Sequence, residues 1–108
     1  MSYIPKSYSG MEWTLEQCKD QVGEGWGDII EECYNLCVEY EVDIAQIKEK
    51  FGTLRFYTIS GTEPFYNKLD DICARSANTC EFCGEKGETR RNIHGWYKTT
   101  CDRCYNEN

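Results

Sequence analysis

"TCEFCGEKGETRRNIHGWYKTTCDRC", residues 79–104, places two Cys-x-x-Cys pairs on either side of a short basic and aromatic stretch. The pairs are Cys80 with Cys83 and Cys101 with Cys104, and 17 residues separate the two pairs. A two-residue spacer lets a tight turn direct two sulfurs at one ion, and two such turns complete a tetrahedron. The spacing therefore predicts one Zn²⁺ held by four thiolates. Because no coordination position stays open for water, the predicted site is structural, not catalytic.

The stretch between the two pairs has the pattern of a short hairpin. Residues 88–92 and 96–100 flank Ile93-His94-Gly95, which predicts two strands joined by a turn. We therefore expect residues 80–108 to form a zinc-ribbon or treble-clef-like module. His94 is the only histidine and has no acidic or histidine cluster beside it, so we predict no catalytic residue, and a metal-dependent nuclease is disfavoured.

Upstream of the module, a second hairpin is predicted around Gly52. Residues 42–50 mix β-branched and charged side chains, residues 54–59 are rich in strand formers, and "FGT" at 51–53 lies between them. Because side chains alternate along a strand, Leu54 and Phe56 should point to one face, and Arg55 and Tyr57 to the other. The pattern therefore predicts a hairpin with one face packed on the core and the other face available for binding.

Three helices are expected before the module. A weak apolar stripe over residues 12–22 indicates a short first helix. Asp28, with Glu31 three residues later, resembles a helix N-cap, so we expect the second helix to begin at Asp28. Its apolar stripe comprises Ile29, Ile30, Cys33, Leu36, Cys37 and Tyr40. Pro64 suits the first turn of a third helix, with a stripe of Phe65, Leu69, Ile72, Cys73 and Ser76.

These elements predict an α+β fold in which a small helical layer packs on the hairpin sheet. We expect an α+β core over residues 1–79 and the zinc-binding module over residues 80–108. The two should pack as one compact domain, because 108 residues is the usual length of a single domain. The remaining cysteines, Cys18, Cys33, Cys37 and Cys73, fall on the helical stripes, where a free thiol behaves as a small hydrophobe. Cys33 and Cys37 lie one turn apart and could alternatively hold a second metal, but core packing is the favoured interpretation.

The N-terminal residues and the charge bear on location and partners. No apolar run resembles a signal peptide and no 18 consecutive residues are apolar, so we expect a cytoplasmic protein with reduced thiols. The net charge of −7 lies in residues 1–79, which hold 14 acidic and 7 basic side chains, whereas residues 80–108 hold 5 of each. This charge disfavours binding of the whole molecule to nucleic acid.

Two groups of side chains are candidates for a partner surface. Lys50, Arg55 and Tyr57 lie near the predicted Gly52 turn and include residue types that anchor protein interfaces. The second group lies in the zinc module and could stack on unpaired bases while its cations meet phosphates. It consists of Arg90, Arg91, Trp96, Tyr97 and Lys98. The sequence thus leaves open a protein-binding module and a nucleic-acid-binding zinc ribbon. It also allows the acidic residues 24–43 to imitate the charge of nucleic acid and block a basic site on a protein partner.

"IKEKFGTLRFYT" at 47–58, followed by "TCEFCG" and "CDRC", resembles an uncharacterised family of short bacterial and phage-encoded proteins. These share a Lys-Phe-Gly-x-Leu-Arg-Phe-Tyr hairpin and a C-terminal cysteine clip, and the likeness extends over residues 25–104. The resemblance implies no enzyme activity. It implies a phage or mobile-element accessory protein that acts in the host cytoplasm by binding, and inhibiting or modulating, a host protein.

Overall fold

The computed structural model describes residues 3–107 and contains four helices and two antiparallel hairpins among them. The predicted α+β class is confirmed. None of the described helices has the length and apolar character that a membrane span requires. In chain order the elements are α1 (Leu15–Lys19), α2 (Gly27–Tyr40), β1 (Ile44–Lys50), β2 (Thr53–Thr58), α3 (Glu63–Ala74), β3 (Glu88–Arg91), β4 (Tyr97–Thr100) and α4 (Asp102–Glu107).

The start of α2 differs from its prediction. A 3-10 turn at Glu24–Trp26 leads into the helix, Trp26 occupies the N-cap position, and no side chain caps this end. Asp28 lies in the first turn, so its predicted capping role is wrong. The preceding turn continues directly into the helix, which leaves no extended residue before Asp28 for a cap. The carboxylate of Asp28 still lies where the helix dipole favours negative charge.

The apolar face of α2 packs against α1, α3 and the first hairpin, as its stripe predicts. Cys18, Cys33 and Cys37 are fully buried in this core and Cys73 packs against it, which confirms their predicted core position. The core consists of Cys18, Trp26, Ile29, Ile30, Cys33, Leu36, Cys37, Val42, Ile44, Ile47, Leu54, Phe56, Phe65 and Leu69. At about 25 cal/mol per Å² of apolar area, burial of these side chains is the main force that holds the helical layer to the sheet.

The first hairpin pairs β1 with β2 and turns at Phe51 and Gly52, as the sequence predicts. Both turn residues have positive φ angles, 53° and 80°, so glycine at position 52 avoids backbone strain. Leu54 and Phe56 are buried in the core, whereas Arg55 is exposed on the opposite face. The alternation of side chains thus gives one apolar face and one polar outward face.

The third helix begins at a side-chain cap and leads into the C-terminal module. The hydroxyl of Thr62 accepts a hydrogen bond from the backbone N–H of Phe65, and Pro64 lies in the first turn. A 3-10 turn, Arg75–Asn78, connects α3 to the first cysteine pair. The second hairpin, β3 with β4, and then α4 follow. The module thus has the order cysteine turn, hairpin and helix.

Candidate metal centre

The four predicted cysteine ligands come together in the structure. The sulfurs of Cys80, Cys83, Cys101 and Cys104 lie within 4.8 Å of one another. The Sγ atoms of Cys83 and Cys101 are 3.5 Å apart. In a tetrahedron with metal–sulfur distances of about 2.3 Å, neighbouring sulfurs are separated by about 3.8 Å. The arrangement can therefore hold one metal ion. Within residues 3–107 no second cluster of three or more metal-binding side chains occurs, which argues against a metal at Cys33 and Cys37.

Both cysteine turns direct backbone N–H groups at sulfur. Burial disfavours ionisation of Cys80, but the backbone N–H groups of the neighbouring residues outweigh it and lower the pKa of Cys80 to about 6. The N–H of Cys104 lies 3.4 Å from the sulfur of Cys101 and lowers the pKa of Cys101. Burial and the adjacent sulfurs raise the pKa of Cys104 to about 12. Four negative sulfurs this close repel one another, so a cation is needed to ionise all four.

The first cysteine turn packs directly on the loop before α2. The N–H of Gly25 donates to the carbonyl of Glu81 at 2.8 Å, and the indole N–H of Trp26 donates to the carbonyl of Thr79 at 2.8 Å. A Cβ atom on Gly25 would lie 2.0 Å from the carbonyl oxygen of Cys80, and one on Gly23 would lie 2.3 Å from that of Glu81. Residues 23–26 thus form a backbone seat for the first cysteine turn, which we call the glycine seat.

The hairpin β3–β4, which lies between the two cysteine pairs, packs on the turn of the first hairpin. The hydroxyl of Thr99 donates to the carbonyl of Gly52 at 2.6 Å. A Cβ atom on Gly52 would lie 3.1 Å from the backbone of Lys98 and Thr99 and 3.1 Å from the methyl group of Thr89. Glycine at position 52 therefore serves both the positive φ angle and the close approach of the two hairpins.

A partly buried ion-pair network lies beside this contact. Lys98 Nζ lies 2.7 Å from Glu49 Oε1 and 3.8 Å from Glu81 Oε1. Glu81 is 3 % exposed and its carboxylate also accepts the N–H of Thr99 at 2.9 Å. Burial raises the pKa of Glu81, although the N–H of Thr99 and the ammonium of Lys98 oppose this effect. The network joins the first hairpin to the metal-binding module.

The predicted partner residues of the module occupy two different environments. Arg90 is partly buried, donates to Asp102 at 2.9 Å and lies 4.6 Å from the centre of the Tyr105 ring. Lys98 belongs to the ion-pair network described above. Arg91, Trp96 and Tyr97 are exposed instead. The structure therefore does not bring these five side chains together as one free surface.

The other predicted group lies on the outward face of the first hairpin. Lys48 pairs with Arg55 across the strands, and Tyr57 lies next to them with the Lys48 ammonium 5.9 Å from its ring centre. Lys50 is exposed on the same face. Among the described residues, none of these three cations forms a salt bridge. We call Lys48, Lys50, Arg55 and Tyr57 the outward face.

Sequence reasoning missed the glycine seat and the inward role of Lys98. "GEGWG" at 23–27 has the composition of a helix breaker, and a glycine-rich run gives no signal of what packs against it. Comparisons of the chain with family models, with curated proteins and with solved structures find no match.

Proposed function

We propose that this chain is a non-enzymatic zinc-binding protein that binds a protein partner carrying an acidic surface, through the outward face. Zinc is supported by the donor set, because four thiolates in a tetrahedron suit Zn²⁺ and not the cations that prefer oxygen. Four protein ligands complete the coordination sphere, so the ion has no position for a substrate. The metal in this proposal stabilises the module and takes no part in a reaction.

The observation that carries the proposal is the charge of the outward face. Its three cations form no salt bridge among the described residues, in a protein whose net charge is −7. Tyr57 is 44 % exposed beside the Lys48–Arg55 pair, and tyrosine and arginine are frequent anchors of protein interfaces. A local basic and aromatic surface complements an acidic surface on a partner, which favours specific binding and the correct orientation.

A protein is favoured over nucleic acid as the partner for two reasons. Binding along a phosphate backbone would bring the acidic remainder of the molecule close to many negative charges. An acidic patch on a protein is local, and charges beyond about 8–10 Å from it are screened at physiological salt. In addition, Arg90 and Lys98, two of the three cations in the nucleic-acid hypothesis, already form ion pairs within the molecule.

The resemblance to phage-encoded proteins supports a host protein as the partner. On this proposal, the protein acts in the host cytoplasm, where it inhibits or modulates that host protein by occupying its acidic surface. The small size of the outward face suits the recognition of a defined patch, not the wrapping of an extended ligand.

The experiment is affinity capture from host lysate with the zinc-loaded protein, followed by calorimetry with the purified captured protein. Arg55→Glu should raise the Kd about 30-fold or more, because an attractive contact becomes a repulsive one. Lys86→Glu makes the same charge change at an exposed residue outside the outward face, and it should change the Kd less than about threefold. Equal effects of the two variants would contradict the proposal.

Oligonucleotide binding tests the competing hypothesis with the same protein. Fluorescence anisotropy with single-stranded and duplex DNA and RNA should detect no tight, salt-sensitive binding. If such binding occurred and the double variant Arg90→Ala, Arg91→Ala abolished it, the protein would be a nucleic-acid-binding protein that acts through residues 80–108.

A further inference from the structure

Two cysteines outside the metal centre bring their sulfurs together between α2 and α3. The Sγ atoms of Cys33 and Cys73, which are 40 positions apart in the chain, are separated by 3.9 Å. This distance is close to van der Waals contact, and a disulfide bond of about 2.05 Å would require the two sulfurs to move closer. Cys37, one turn further along α2, is equally buried.

The two thiols differ in accessibility. Cys33 is fully buried, whereas Cys73 is partly exposed. Cys73 lines a groove of ≈ 420 Å³ formed mainly by β2 and α3, whose walls include Tyr57 and Tyr66. A small oxidant in the groove can reach Cys73, while Cys33 lies behind it. An accessible thiol with a second thiol next to it is the arrangement found in cysteines that oxidise reversibly.

The contact between the sulfurs also favours ionisation of the accessible one. The hydrogen bond with Cys33 lowers the pKa of Cys73, although burial opposes this effect. The same contact, together with burial, raises the pKa of Cys33. Because Cys73 is the partly exposed thiol and the thiolate is the reactive form of cysteine, we expect Cys73 to react first.

We propose that Cys73 is a site of oxidation by hydrogen peroxide and that Cys33 converts the product into a disulfide joining α2 to α3. In the first step the sulfur of Cys73 attacks the peroxide, an S–O bond forms, the O–O bond breaks, and the released hydroxide leaves as water with the thiol proton. The product is a sulfenic acid.

In the second step the sulfur of Cys33 attacks the sulfur of Cys73. The S–S bond forms, the S–O bond breaks, and the oxygen leaves as a second water that carries the proton of Cys33. Overall the two thiols lose two electrons, the peroxide gains two, and two waters form. The disulfide then fixes α3 against α2 directly behind the strand that carries Arg55 and Tyr57.

The experiment treats the zinc-loaded protein with hydrogen peroxide, blocks the remaining thiols by alkylation and maps the peptides by mass spectrometry. We expect a cross-linked peptide pair that contains Cys33 and Cys73, with the loss of two hydrogen atoms and reversal by a thiol reductant. Cys33→Ala should abolish the cross-link and leave Cys73 as a sulfenic acid that dimedone traps.

Cys37→Ala is the matched control, because it removes a buried thiol from the same face of α2. This variant should form the Cys33–Cys73 cross-link to the same extent as the parent protein. The proposal would be overturned if Cys33 and Cys73 both stayed reduced after the metal-site cysteines had oxidised. It would also be overturned if Cys73 instead formed its disulfide with Cys18 or Cys37.

Discussion

The helical layer with the first hairpin and the C-terminal module are stabilised by different chemistry. The first region buries a cluster of aliphatic and aromatic side chains around Trp26 and Phe65. In residues 80–107 the buried side chains are Cys80, Glu81, Thr99, Thr100 and Cys104, and none is aliphatic or aromatic. The large apolar side chains of that region, Phe82, Ile93, Trp96 and Tyr97, are exposed.

This difference shows that the module cannot be stabilised by its own hydrophobic burial. A two-stranded hairpin and a helix of six residues are each marginal in water without further support. The support comes from three sources: the metal ion that the cysteines can hold, the glycine seat, and the contacts around Gly52.

Metal removal should produce the largest effect and separate the two regions. Structural zinc contributes on the order of 10 kcal/mol of apparent binding free energy, so an excess of chelator should unfold residues 80–104. Amide hydrogen exchange should show lost protection at Glu81 and Thr99, while the amides of α2 and β1 stay protected. The parent protein and Cys18→Ala should each contain one zinc per chain, whereas Cys101→Ser should contain none. Simultaneous loss of protection in α2 would show that the regions unfold as one unit.

Gly25→Ala should produce the next largest effect, because the added Cβ would overlap the backbone of Cys80 at 2.0 Å. We expect a loss of about 3 kcal/mol in the free energy of unfolding and a lower zinc affinity in chelator competition. Gly27→Ala is the control, since its Cβ would meet nothing closer than the Lys19 side chain at 4.0 Å. Because Gly27 lies in α2, this change should raise the free energy of unfolding by about 0.5–1 kcal/mol. A neutral Gly25→Ala would contradict the close packing of the seat.

Lys98→Met should cause the smallest loss of stability of the three changes, because it alters only the contact between the first hairpin and the C-terminal module. The change keeps most of the apolar stem but leaves the buried carboxylate of Glu81 without its cation, which should cost about 1–2 kcal/mol. Denaturant unfolding measures the loss. Lys86→Met removes an exposed cation, and it should change stability by less than about 0.5 kcal/mol. If both variants lost equal stability, the ion-pair network would not be a specific link.

The features that the sequence predicted have a fixed period or spacing. The cysteine spacing predicted the metal ligands because chelation requires particular atoms at particular intervals. The apolar stripe of α2 and the alternation in β2 predicted the core because helices and strands repeat every 3.6 and 2 residues. The two hairpins were predicted from the turn residues around Gly52 and Gly95, both of which have positive φ angles.

The features that were missed depend on which distant segments meet. Nothing in "GEGWG" indicates that a cysteine turn more than fifty residues later will pack on its backbone. Lys98 was a candidate for binding a partner, yet its ammonium pairs with Glu49 and Glu81, which the sequence places 49 and 17 positions away. Side-chain chemistry alone does not distinguish a lysine that pairs internally from one that is free.

The glycine seat precedes all four metal ligands in the order of synthesis. Residues 23–26 leave the ribosome more than fifty residues before the cysteine turn that packs on them. The backbone that receives the first cysteine turn is therefore synthesised before any of the four ligands, and Cys104 is the last of the four to be made. The four-sulfur site can hold a metal only once Cys104 has been made, and until then the earlier thiols are open to competing metals and oxidants.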